Sequence, residues 1–154
     1  MKTLQIGDPV PRFVLNDQHG RAVDVTEYIG RKKLVIYFYP KDESPGCTRQ
    51  ACAIRDHFAK YAAAGAVVIG INSGSVERHR AFAEKHGLPF TLLSDPGNRV
   101  LKSFGVKKVL FLTGRETFVV DLDGRIVYKF RAFMNAAVHN DRVLKFLATG
   151  DGRS

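Results

Sequence analysis

The chain is poor in cysteine and has little else that would hold a metal or an organic cofactor. Only two cysteines occur in 154 residues, too few for the four protein ligands of a structural zinc site, and no histidine lies at finger spacing from them. They do not form C-x-x-C, so the dithiol of a protein disulfide oxidoreductase is missing. There is no apolar run long enough to span a bilayer. The opening stretch MKTLQIGDPVPRF lacks the apolar segment of a secretory signal. No glycine-rich phosphate loop and no Ser/His/Asp set is present, and no linker, repeat or low-complexity tract interrupts the chain. These absences lead to the expectation of a single cytoplasmic domain over residues 1–154, with a frayed tail over 149–154. The domain is expected to need no metal or organic cofactor and to touch no membrane.

Acidic residues are also in deficit. Fifteen Asp and Glu face 24 Lys and Arg, for a net charge of +9, which raises nucleic acid as a partner. The basic residues are scattered, however. Their densest runs, Arg31-Lys32-Lys33 and Lys107-Lys108, are not interleaved with aromatics that could stack on bases. A generally basic surface is the plainer reading, and nucleic acid is not an expected partner.

What is present is an alternation of strand and helix signals. Phe13–Leu15 and Ala22–Val25 flank a polar turn at Asn16–Gly20 and read as an N-terminal hairpin. Leu34–Tyr39 is apolar on both faces and stopped by Pro40, as in a buried central strand. Ala51, Ile54, Phe58 and Tyr61 recur at helical steps, which predicts a helix from Cys47 to about Ala64, ended by Gly65. A second buried strand follows at Ala66–Asn72. Ser75 caps a helix over Val76–His86, ended by Gly87. A short extended piece, Leu92–Asp95, precedes a short helix from Asn98 to Phe104. Thr117–Leu122 and Ile126–Phe130 read as strands joined at Asp123-Gly124, and Val138–Leu147 as a last helix. This order implies an α/β fold with a thioredoxin-like layout, a central mixed sheet flanked by helices.

Both cysteines lie in Ser44-Pro45-Gly46-Cys47-Thr48-Arg49-Gln50-Ala51-Cys52. Cys47 follows a strand, a proline stop and a Pro-Gly turn, and it opens a helix. Free N–H groups and a positive partial charge at that end favour the nucleophilic thiolate. A buried, inert thiol is the alternative, but its flanks are turn residues. Five residues along a helix advance about 7.5 Å, whereas a disulfide needs Cα atoms within roughly 7 Å and side chains that face each other. Either the pair never bonds, or the helix opens when it does. His79 and His86 lie seven apart, with no carboxylate at helical spacing to both, which argues against a metal site. His19 and His139 look solvent-facing, and His57 lies too far along the helix to act as a base.

The string Pro40-x-x-x-Ser44-x-x-Cys47 resembles the motif that opens the first major helix of peroxiredoxins. The second cysteine five residues on resembles the peroxiredoxin Q, or bacterioferritin comigratory protein, branch. Further matches are Tyr39-Pro40-Lys41-Asp42, Leu93-Ser94-Asp95-Pro96 and Gly114–Asp121, so the likeness runs from Ile6 to about Leu147. The resemblance implies a peroxidase. Cys47 would be the peroxidatic cysteine, oxidised to a sulfenic acid. Arg115 would hold the thiolate and the peroxide, and Ser44 would present its hydroxyl to both, in place of a more usual Thr. Pro40 would wall the pocket from water. Cys52 would resolve the sulfenic acid as an intrachain disulfide once the helix unwinds, with a core residue as the alternative. Thioredoxin, or glutaredoxin, would be the reductant, and the protein would act as a monomer. Leu110, Phe111 and Leu112 would border the site, as an apolar surface for organic hydroperoxides or for a second subunit. The competing readings are a disulfide oxidoreductase, weakened by the missing C-x-x-C, and a non-enzymatic basic binding protein on the same fold.

Overall fold

The computed structural model describes residues 3–107, 114–132 and 135–150. The Leu110–Leu112 segment and residues 151–154 of the tail lie outside them. One sheet of seven strands runs through the molecule in the order β2-β1-β5-β4-β3-β6-β7. Strands β3 (Lys33–Phe38), β4 (Ala66–Asn72) and β5 (Thr91–Ser94) are parallel neighbours. The hairpin of β1 (Val14–Asp17) and β2 (Ala22–Asp24) adds antiparallel to β5. At the other edge, β6 (Glu116–Val120) and β7 (Ile126–Arg131) add antiparallel to β3. The expected mixed sheet and thioredoxin-like layout are present.

Side chains alternate across the sheet with a period of two, and β3 shows how that divides the core. Val35 and Tyr37, with Tyr39 just beyond the strand, point to one face, where they meet α1 (Pro45–Asp56), α2 (Phe58–Ala63), α3 (Val76–His86) and α5 (Val138–Thr149). Leu34, Ile36 and Phe38 point to the other. There they meet Val100, Leu101 and Phe104 of α4 (Arg99–Phe104), Val10 and Val25.

The caps explain the helix ends. Ser75 accepts from the Arg78 N–H, and Gly87 closes α3 in the left-handed conformation at φ 59°, which glycine adopts without steric cost. The helix expected over 47–64 differs. It starts two residues earlier, because Pro45 suits a first helical position, and it breaks at His57. The break turns Tyr61 toward α5, where its hydroxyl donates to Asn140 Oδ1 at 2.7 Å. The apolar spacing alone could not report that polar tie. Strand β6 stops at Val120, two residues short of expectation, because Asp121 and Leu122 belong to the turn into β7.

Candidate active site

The site forms where β3 hands over to α1. Pro40, half-buried, follows the end of the strand and has no N–H for the ladder. The chain turns through Lys41, Asp42 and Glu43, and Ser44 caps α1. Its Oγ accepts from the Cys47 N–H at 3.4 Å and donates to the Lys41 carbonyl at 3.1 Å. The Ser44 hydroxyl expected at the thiolate is thus engaged with backbone. Cys47 lies in the first turn of α1 and is 1% exposed.

Arg115 comes from the residue just before β6. Its Nη2 donates to Cys47 Sγ at 3.3 Å, and its Nη1 to Gln50 Oε1 at 2.5 Å. The guanidinium is 4% exposed, so its field at the sulfur is little screened by solvent. Gly46 leaves room for it: a Cβ there would sit 3.3 Å from Nη2. Sequence reasoning missed Gln50. The available signal was its spacing, three residues after Cys47, which places both on one helix face.

A second set of contacts fixes the loop before Cys47, and it too was missed. Asp42 is buried. Its Oδ1 accepts from the Tyr39 hydroxyl at 2.6 Å, and its Oδ2 pairs with His79 Nδ1 at 2.6 Å. His79 Nε2 faces the Leu93 carbonyl at 3.1 Å. Both ring nitrogens therefore face oxygen acceptors. The next residue, Glu43, has a left-handed backbone at φ 65°, uncommon for a residue with a side chain. Its carboxylate accepts from His86 Nε2 at 2.9 Å and lies 3.7 Å from Lys85 Nζ. Two histidines of α3, seven apart, thus hold two adjacent loop carboxylates. Helical spacing could not reveal partners that come from a loop.

His139 corrects the sequence reading. It is not solvent-facing but 1% exposed. The Thr117 hydroxyl donates to Nδ1 at 2.8 Å, and Nε2 donates to the Ala132 carbonyl at 2.8 Å. Burial pushes its imidazole down to about 4, with the nearby Arg115 cation acting in the same direction and the Ala132 carbonyl opposing. A helix-start position reads as exposed only until β6 packs over it.

Cys52 is half-buried in α1, and neither thiol is in a disulfide. With α1 continuous from Pro45 to Asp56, the helical rise of about 7.5 Å over five residues keeps the two apart. Among the described residues, no three His, Cys, Asp or Glu side chains group to hold a metal.

Comparison with known proteins places this geometry. Residues 6–129 match the model of the AhpC/TSA family. The chloroplastic peroxiredoxin Q of Sedum lineare is 50% identical over 143 residues, 92% of this chain and 76% of that protein. The crystal structure of the peroxidoxin BcpB from Mycobacterium tuberculosis superposes with a TM-score of 0.88 at 33% identity, over 98% of this chain and 99% of the other. The bacterioferritin comigratory protein of Xanthomonas campestris, studied for alkyl peroxide reduction, superposes with a TM-score of 0.83 at 30% identity. That match covers 90% of this chain and 91% of the other. The expected cytoplasmic location is overturned, because the plant relatives at 46–50% identity are named as chloroplastic.

Proposed function

The chain belongs to the AhpC/TSA family, in its peroxiredoxin Q branch, and from that premise we propose that it reduces hydrogen peroxide and organic hydroperoxides through Cys47. The observation that carries the reading is Arg115 Nη2 at 3.3 Å from Cys47 Sγ. The Cys47 thiolate attacks the distal oxygen of the peroxide. The O–O bond breaks, the proximal oxygen leaves as an alcohol or water after taking a proton, and the sulfur becomes a sulfenic acid. Arg115 donates to the charge that develops on the peroxide oxygens. Gln50 holds the second arm of the guanidinium, so Arg115 loses little freedom on binding substrate. Ser44 fixes the start of the helix, and Pro40 flanks the loop. The alkyl peroxide work on the Xanthomonas relative supports organic hydroperoxides as substrates.

In the second half of the cycle, the first turns of α1 unwind and the Cys52 thiolate attacks the sulfenyl sulfur. The S–O bond breaks, the hydroxide leaves as water, and an intrachain disulfide forms. A dithiol such as thioredoxin then reduces it by thiol–disulfide exchange. Because the bond closes within one chain, the cycle requires no second subunit.

Intact mass of the reduced protein, before and after one equivalent of hydrogen peroxide, tests both halves. A loss of two hydrogens at monomer mass, abolished by Cys52→Ser, is the expected result. Oxygen addition without that loss would retain Cys47 and remove Cys52 from the cycle. No mass change, with salt-dependent retention on DNA, would return the basic binding reading.

A further inference from the structure

Tyr37 sits in the middle of β3, 1% exposed, on the sheet face that carries Cys47. Its hydroxyl has no hydrogen-bond partner among the described residues, and neither does Nε2 of Gln50, also 1% exposed. Buried polar atoms without partners are costly, and each calls for an explanation. Both residues line one cavity of about 10 Å³, whose wall also includes Tyr61, Thr117, His139 and Asn140. A volume of that order holds one water molecule where two to four polar groups converge. The other arm of Gln50 is already committed, since its Oε1 accepts from Arg115.

Gly70 adds an independent observation. It pairs with Tyr37 across the parallel β3–β4 ladder. A Cβ at Gly70 would lie 2.8 Å from Tyr37 Cζ and 2.9 Å from its oxygen. The strand thus gives up a side chain in the core, and the phenol lies over the gap. Burial, with Cys47 and Asp42 nearby, pushes the Tyr37 phenol well above its ordinary value. It therefore remains a neutral donor and acceptor.

We propose that the cavity holds one water molecule bridging Tyr37 Oη and Gln50 Nε2, and that Tyr37 is thereby a positioning residue for the peroxide reaction. Nε2 of Gln50 donates to the water, and the Tyr37 hydroxyl closes the bridge from the sheet. The amide is then fixed with Oε1 on Arg115, and Arg115 with Nη2 on Cys47. Gln50 belongs to α1 and Tyr37 to the sheet, so the bridge also anchors the first turns of the helix while Cys47 waits for peroxide. The positioning role rests on the peroxidase reading, whereas the water itself does not.

The test compares the wild type, Tyr37→Phe, Gln50→Ala and the double variant. Two quantities are measured: the rate constant with hydrogen peroxide and the pH profile of Cys47 alkylation by iodoacetamide. Tyr37→Phe keeps the ring and its packing. It is expected to lower the peroxide rate about threefold to tenfold, the worth of one hydrogen bond, and to move the alkylation profile to higher pH. Because Tyr37 acts through Gln50, the double variant should be no slower than Gln50→Ala alone. Gly70→Ala keeps the hydroxyl but displaces it. It should reproduce both changes, and it serves if Tyr37→Phe does not fold. A high-resolution crystal structure of the wild type should show the water between the two atoms. A dry cavity, a wild-type rate and profile in both Tyr37→Phe and Gly70→Ala, or losses that multiply in the double variant would each overturn the proposal. Wild-type protein that consumes no peroxide would instead remove the peroxidase reading. In that case the positioning role would fall with it, and the crystal structure would still decide the water.

Discussion

The two faces of the sheet are equally buried and chemically unlike. Between α4 and the sheet, the large rings are Phe38, Phe104 and Phe118, and the buried polar side chains are few: Asp95, which accepts from the Val100 and Leu101 N–H groups of α4, and Glu116, on the same side of β6 as Phe118. On the other face the rings are Tyr37, Tyr39, Tyr61 and Tyr128, alongside Phe82 and Phe90. A phenol buries nearly the area of a phenyl ring but brings an oxygen that needs a partner. Tyr39 recruits Asp42, which brings His79, and Tyr61 recruits Asn140. The α4 face buries mainly hydrocarbon, whereas the other also buries linked phenols, a carboxylate and imidazoles on the side of the sheet that carries Cys47.

That contrast can be broken from either side. Phe118→Ala should cost most, about 3–5 kcal/mol of stability, because its ring meets Phe38 and Phe104 at centroid distances of 6.2 and 5.1 Å. Urea unfolding measures the loss, and peroxide turnover per folded molecule should stay near the wild type. Arg115→Leu should do the reverse on the polar face. It should reduce the peroxide rate by roughly 10²–10³-fold, as removal of a donor to developing charge does, in a stopped-flow assay on protein that is still folded.

A third prediction concerns acid, which should act on the polar face through His139. The unfolded chain protonates His139 near its ordinary value of 6.5, whereas in the folded protein the ring stays neutral down to about 4. Between those values the unfolded state binds more protons. The stability is therefore fully present above pH 6.5 and falls until pH 4, by about 3 kcal/mol. Urea midpoints across that range should show the slope, and His139→Gln should flatten it. The smallest effect is expected at Ser44→Ala, which removes the cap of α1 and costs about 1 kcal/mol. Hydrogen exchange at the Cys47 amide should speed up accordingly, with exchange in α4 unchanged.

Local chemistry made much of this legible in advance. Continuous apolar runs placed β3 and β4 within a residue, and Ser75 with Gly87 bounded α3 as capping rules require. The Pro40–Cys47 string pointed to Cys47 as the candidate nucleophile, and the likeness to peroxiredoxins pointed to Arg115, which the structure places beside its sulfur. Gln50 was missed because its spacing from Cys47 shows a shared helix face but not the Arg115 partner, which lies 65 residues away. Asp42 and Glu43 were missed as partners of His79 and His86 because the pairs are 37 and 43 residues apart.

By itself, the sequence determined the order of the elements, the two thiols five residues apart and the helix end at which Cys47 sits. Propensity, capping and hydrophobic period act over a few residues, and a sequence records them directly. Only the tertiary structure decided which side chains meet the sulfur, that His139 is buried, and that Tyr37 and Gln50 share a cavity. Those facts depend on how a strand, a loop and two helices pack in three dimensions, and the energy of a buried polar contact is set by the partner that packing supplies.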